Sequence, residues 1–244
     1  MLPILYQDAH MAAVAKPPGL LVHRTGLDAG ETRFALQMLR AQLGRPVWPV
    51  HRLDKGTSGV LLFALDAAAA SALGRQFEAG TVHKTYLALV RGWPASSGCI
   101  DHPLRRMKDD ARPRARRPAA ATDAAPADTA LPALTRYTTL ARYTLPVPHG
   151  AFAATRCAQL ALMPETGRRH QLRRHCKHMA HPIIGDATHG KGPLNRALAP
   201  LLGTSRLWLH AWQLALAHPA TGAPLCLQAA PGPEWQALMP WRTD

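Results

Sequence analysis

Nine consecutive residues, His51-Arg52-Leu53-Asp54-Lys55-Gly56-Thr57-Ser58-Gly59, set one carboxylate among basic side chains just ahead of the apolar run 60–65. Cations beside a carboxylate favour its ionised form, the form that a nucleophile or a general base needs. The same residue types also build surface turns in which Asp54 would merely pair with Arg52 or Lys55. Spacing alone leaves both readings open.

A second concentration lies at 165–191, which holds six Lys/Arg and five His. On a helix expected over about 169–180, ended by Pro182, the residues His170, Arg173, Arg174 and Lys177 fall three or four apart. Such a ridge can follow a phosphate backbone or clamp an anion, and it can equally be a solvated basic face. His175, His178 and His181 recur every three residues, a spacing that invites a metal. The surrounding cations oppose Zn²⁺ and no Cys or carboxylate completes the set, so no metal is expected. Lys16-Pro17-Pro18-Gly19, followed by His23 and Arg24, is either a stiff turn presenting basic groups or a connector. Tyr86 alternates with Leu and Val, which suggests a strand with one inward face. Beside RNA, such a ring could instead stack on an extruded base.

Other chemistries lack their signatures. There is no GxGxxG after a strand and no GxxxxGK[ST], and the GTSG at 56–59 lacks the G-x-S-x-G spacing of a nucleophile elbow. Hydride transfer, nucleotide hydrolysis and serine-hydrolase chemistry gain no support, and no cofactor, nucleotide cofactors included, is expected.

The elements that must position these residues are partly legible. Residues 4–16 suggest a hairpin, 32–43 a helix, 60–65 a buried strand, and Asp66 the cap of a helix that carries Leu73 and Phe77 inward before Gly80. Strands are expected over 81–90 and 157–163, and a hairpin over 208–217 and 224–229. Hairpins with interspersed helices favour an α+β fold with a mixed, largely antiparallel sheet over a doubly wound parallel one. Residues 105–117 hold seven basic side chains, and the next sixteen contain eight Ala and three Pro. The stretch 105–133 is therefore expected to be a mobile insert in a single domain spanning 1–244.

The 244 residues include 29 Lys+Arg against 15 Asp+Glu, a net charge of +14, and 47% are apolar. A basic excess suits a polyanionic partner, and 23 Arg against six Lys suits bidentate phosphate contacts, although GC-rich codon usage also scatters Arg. The four cysteines are widely spaced and form no CxxC pair, against both a zinc ribbon and a disulfide scaffold. No run suits a membrane helix and the start lacks a secretory pattern, so a soluble cytoplasmic protein, monomeric by default, is expected.

Five segments in order, KPPGLLVH at 16–23, HRLDKGTSG at 51–59, KTYLALVRG at 84–92, TGRRHQLRRH at 166–175 and HPIIGD at 181–186, closely resemble the RluA-type pseudouridine synthases. The resemblance spans nearly the whole chain and includes a closing hairpin at 209–225. It implies the pseudouridine synthase fold, an active-site cleft, and isomerisation of uridine in RNA after the base is flipped out. It makes Asp54 the catalytic aspartate, acting on C1′ or on a ribose proton. Tyr86 becomes the ring packed on the base, and Arg173 the cation paired with Asp54. Leu172 would wall the base and Arg52 would fill the gap that the base leaves. His51, Lys16, His23, Arg168, Arg169 and Arg174 become candidate RNA contacts. Within the family the chain is most similar to members acting on uridine 65 in the T stem of tRNA, which makes tRNA the expected partner. The similarity begins almost at Met1, so no N-terminal S4-like RNA-binding domain is expected. The insert departs from the family pattern, and its basic half is either an RNA-binding loop, which the density of cations favours, or a solvated insertion with no role.

Overall fold

The computed structural model describes residues 1–23, 30–107 and 129–244. Ten strands form one sheet. In chain order they are β1 (Ile4–Gln7), β2 (Met11–Lys16), β3 (Trp48–Pro49), β4 (Ser58–Ala64), β5 (His83–Arg91) and β6 (Ser97–Asp101). After the small pair β7 (Leu104–Arg105) and β8 (Ala130–Leu131) come β9 (Leu134–Leu145), β10 (Thr155–Pro164), β11 (Leu209–Ala217) and β12 (Pro224–Gln228). The spatial order is β1-β2-β4-β11-β5-β10-β9-β6, with β3 also on β4 and β12 also on β11. Every pairing is antiparallel except β4 with β11, where Ser58 faces His210 and Gly59 faces Ala211. The sheet is therefore mixed and largely antiparallel, as the hairpin pattern predicts.

β4 shows how the sequence dictates this arrangement. Its continuous apolar run suits a strand covered on both faces. Leu61 and Phe63 point into one cluster with Ala35 and Leu39 of α1 (Ala35–Leu43). Val60, Leu62 and Ala64 point into another with Ala69 and Leu73 of α2 (Ala67–Glu78). The two helices thus lie against opposite faces of one strand. Asp66 caps α2 as expected, its Oδ1 accepting from the Ala69 N–H at 2.7 Å. A third cluster joins β5, β9 and β10 to Leu172 and Cys176 of α3 (Gln171–His178), Leu194 and Leu198 of α4 (Gly192–Leu202), and Trp235 of a 3-10 helix over Pro233–Trp241.

Two expectations change. The helix expected at 169–180 is only eight residues long. Its ridge is not one solvated face, because Arg173 turns inward and is 8% exposed while Lys177 stays outside. The ends of the expected insert, Arg105 and Ala130–Leu131, belong to the β7–β8 ribbon. Most of that insert, 108–128, including Arg112, Arg114, Arg116 and Arg117, lies outside the described residues, as does Arg24.

Candidate active site

The loop before β4 carries Asp54 to the rim of a cleft of about 270 Å³. The Thr57 N–H donates to the Asp54 carbonyl at 3.0 Å, closing a tight turn, and Thr57 and Ser58 are buried beneath it. Tyr86 on β5, Leu209 on β11 and Leu172 on α3 supply apolar wall, while Arg52, Arg168 and Arg169 line the same cleft.

Arg173 ties the cleft together. Its Nη1 donates to Asp54 Oδ2 at 3.1 Å, while Nε and Nη2 donate to Asp186 Oδ2 and Oδ1 at 2.7 and 2.8 Å. A rigid five-donor fork can serve two carboxylates in this way, which an ammonium cannot. Asp186 is 1% exposed and also accepts the Thr188 and His189 N–H groups at 2.9 and 2.8 Å. Burial pushes its carboxyl upward, but the hydrogen bonds from Arg173 and from those two N–H groups prevail and hold it below the ordinary carboxylate range. A buried, fully hydrogen-bonded anion thus orients the guanidinium that meets Asp54.

The Tyr86 phenol is pushed upward by burial and then by the Asp54 charge. It is therefore a neutral phenol at physiological pH, offering a ring face and an O–H rather than a phenolate. His170 lies with its Nε2 at 3.8 Å from Asp54 Oδ2. Lys84, next but one to Tyr86, also lines the cleft, and burial lowers its ammonium pKa. Among the described residues no hydrogen bond or ion pair engages the Lys84 ammonium.

Two candidate RNA contacts have other work. Lys16 is 1% exposed, and its Nζ donates to the carbonyls of Pro17, Leu20 and Lys55 at 2.9, 2.7 and 3.1 Å. All three ammonium hydrogens are used inside the protein, so Lys16 braces the 16–20 turn against the Asp54 loop instead of meeting phosphate. Burial, partly offset by Asp54 and reinforced by Arg206, pulls this ammonium down to about 7. His51 likewise faces inward. Its Nε2 accepts the Leu62 N–H at 3.0 Å, its ring stacks on Phe77, and burial with the nearby Lys84 charge lowers it to about 4. A neutral acceptor of that kind is a structural pin. His23 is part-buried near Arg52, and burial and that charge lower its pKa. Arg174 Nη1 donates to the Arg105 carbonyl at 2.9 Å, linking α3 to the ribbon, and the exposed Arg168 donates to the Pro132 carbonyl at 3.1 Å.

The periodic histidines do separate jobs. His175 bridges Thr135 Oγ1 and the His102 carbonyl, His178 stacks on His102, and His181 meets the Arg91 carbonyl. Lys84 and Asp186 both stand inside the sequence segments singled out above, yet neither carried a signal of its own. An isolated acid acquires meaning only when the fold supplies its partner.

A family model described as RNA pseudouridylate synthase matches residues 10–178. The chain is 44% identical over 240 residues to tRNA pseudouridine synthase C of Vibrio cholerae, covering 98% of this chain and 95% of that protein. It is 46% identical over 239 residues to tRNA pseudouridine synthase C of Yersinia pestis, covering 98% and 90%. Among solved structures, human RNA pseudouridylate synthase domain containing 1 superposes with a TM-score of 0.69 at 29% identity, covering 96% of this chain and 84% of that one.

Proposed function

The chain belongs to the RNA pseudouridylate synthase family, and we propose that its substrate is tRNA, that the target is uridine 65 of the T stem, and that Asp54 is the reacting carboxylate. The observation that carries the assignment of Asp54 is its position at the cleft, gripped by a guanidinium that Asp186 orients, with Tyr86 lining the same space. The choice of tRNA is supported by the near-complete coverage of the tRNA-modifying relatives.

The isomerisation is redox-neutral. The C1′–N1 bond of uridine breaks, a C1′–C5 bond forms, C5 loses a proton and N1 gains one. A base stacked in a helix is out of reach, so the nucleotide must leave the stack at a cost of a few kcal/mol. Arg52, exposed at the rim, is placed to occupy the vacated space. The flipped base packs on the Tyr86 ring with Leu172 and Leu209 as apolar wall, an arrangement that offsets part of the unstacking cost. Asp54, with one oxygen engaged by Arg173, presents its other oxygen to the ribose for attack at C1′ or proton removal. Lys84, Arg168 and Arg169 offer positive charge to the flanking phosphates.

The test is mass-spectrometric mapping of pseudouridine, after chemical tagging, in unmodified tRNA and rRNA transcripts incubated with the purified protein. Product at the T-stem uridine with wild type and none with Asp54→Asn, while RNA binding persists, is the expected outcome. Turnover by Asp54→Asn would sink the role of the carboxylate. Product confined to rRNA would keep the chemistry and replace the substrate.

A further inference from the structure

We propose that His170 is a positioning residue for Asp54, held by His189 in the tautomer that aims an Nε2–H at the carboxylate and leaves Asp54 Oδ1 as the reacting oxygen. The proposal rests on the reading of Asp54 given above. His170 precedes α3 with a left-handed backbone, φ 53° and ψ 25°. Among the described residues only one other non-glycine, Ala180, has positive φ. Such a conformation persists where surrounding contacts impose it, often at functional sites. At His170 it accompanies a ring placed between two partners, with Nδ1 at 3.0 Å from His189 Nε2 and Nε2 at 3.8 Å from Asp54 Oδ2.

Two facing imidazole nitrogens need one hydrogen between them, so a neutral pair has two arrangements. If His170 Nδ1–H donates to His189, the bare lone pair of His170 Nε2 faces an anionic carboxylate. If His189 Nε2–H donates to His170 Nδ1, the His170 hydrogen sits on Nε2 and points at Asp54. Only the second suits an ionised Asp54. The 3.8 Å separation exceeds a hydrogen bond, as catalytic contacts often do before substrate closes the site.

Burial disfavours the protonated form of both rings. Burial takes His170 down to about 4, opposed by Asp54 and reinforced by Arg173, His189 and Arg169. Burial also lowers His189, opposed by Asp186 and reinforced by Arg173, Lys177 and Arg174. The pair is anchored where Arg173 is anchored, because Asp186 Oδ1 accepts both the backbone N–H of His189 and an N–H of Arg173 Nη2. Two arms therefore leave Asp186 and converge on Asp54 Oδ2, one through Arg173 and one through His189 and His170. Among the described residues no hydrogen bond engages Oδ1.

Full-length protein labelled with ¹⁵N in its histidine rings reports the tautomers directly, with His170→Ala and His189→Phe assigning the signals. The expected spectra show both residues neutral and protonated on Nε2 at pH 7 to 8. The His170 tautomer should mix in His189→Phe and be retained in His189→Gln, whose amide N–H replaces the lost donor. An Nδ1–H tautomer at His170 in the wild type would overturn the proposal whether or not tRNA is a substrate. Single-turnover rates on tRNA supply the second arm. His170→Ala should slow turnover about tenfold or more, with RNA Kd unchanged. His189→Phe should slow it less, His189→Gln should restore it, and the double variant should be no slower than His170→Ala. Loss confined to Kd, or strictly additive losses, would also overturn it. Wild-type protein silent on every tRNA, yet showing the expected tautomers, would remove the tRNA reading and leave the histidine arrangement standing.

Discussion

Asp186 is the residue on which the site geometry turns, although it lies outside the contact with the base. It receives two guanidinium hydrogens and two backbone N–H groups while 1% exposed, so Asp186→Asn would pit an amide N–H₂ against donors and leave Arg173 with Asp54 alone. Removing one partner of a buried pair costs about 3–5 kcal/mol, and urea unfolding at pH 7 should show a loss of that order together with lost turnover. The pH dependence has a definite sign. A carboxyl depressed in the folded state stabilises fully above its unfolded pKa of about 3.9, and the contribution disappears as pH falls through the lower folded value. The gap between wild type and Asp186→Asn should therefore be constant from pH 5 to 7 and narrow at pH 3. A gap that stays wide at pH 3 would mean that packing, not the charge, holds the loop.

At the scale of elements, β4 and β11 approach so closely that residue 59 must be glycine. Gly59 has φ +110°, and a Cβ there would collide with the Ala211 backbone on the one parallel neighbour in the sheet. Gly222, with φ +72° and nothing within 4 Å of a Cβ, is the control for backbone strain alone. Gly222→Ala should cost about 1 kcal/mol, whereas Gly59→Ala should cost several times more and displace the Asp54 loop, readable as a lower Tm with lost turnover. Equal effects would show that the close approach relaxes easily. The elements legible from sequence were those whose pattern matched their burial: β4 as an unbroken apolar run, α2 with its Asp66 cap, and the β11–β12 hairpin. β9 went unannounced because Thr and Arg interrupt its apolar residues along a half-exposed strand, and α4 because Gly192, Pro193 and Pro200 read as breakers although proline fits a helix start. In the site, the local cluster around Asp54 was visible, but the partners that meet it lie far along the chain. Its bond to Arg173 spans 119 positions, and only the resemblance linked the two in advance. Lys16 and His51 are candidate RNA contacts by their place in the motifs, but a sequence carries residue type and not side-chain direction. Lys16 ends β2 facing three carbonyls, and His51 meets the Leu62 N–H.

For the molecule as a whole, the charge of +14 concerns association rather than fold. No helix among the described residues is long and apolar enough to cross a membrane, and exposed Arg52 and Arg168 lie at the cleft where a polyanion would arrive. Each phosphate neutralised by Lys or Arg releases counterions, so log Kd for tRNA should vary linearly with log salt. Residue roles then separate in the slope. If Arg168 meets a phosphate as proposed, Arg168→Ala should lower the slope by about one, while Asp54→Asn should leave it unchanged. Arg52→Ala should slow turnover with little change in slope if its work is to fill the gap left by the flipped base. Arg112, Arg114, Arg116 and Arg117 form the densest basic run, and their joint replacement by alanine tests whether they meet RNA. A slope reduced by about one for each arginine that contacts phosphate would extend the interface beyond the cleft. An unchanged slope would confine phosphate recognition to other basic residues, and the tRNA would then be chosen largely by the surface around Asp54.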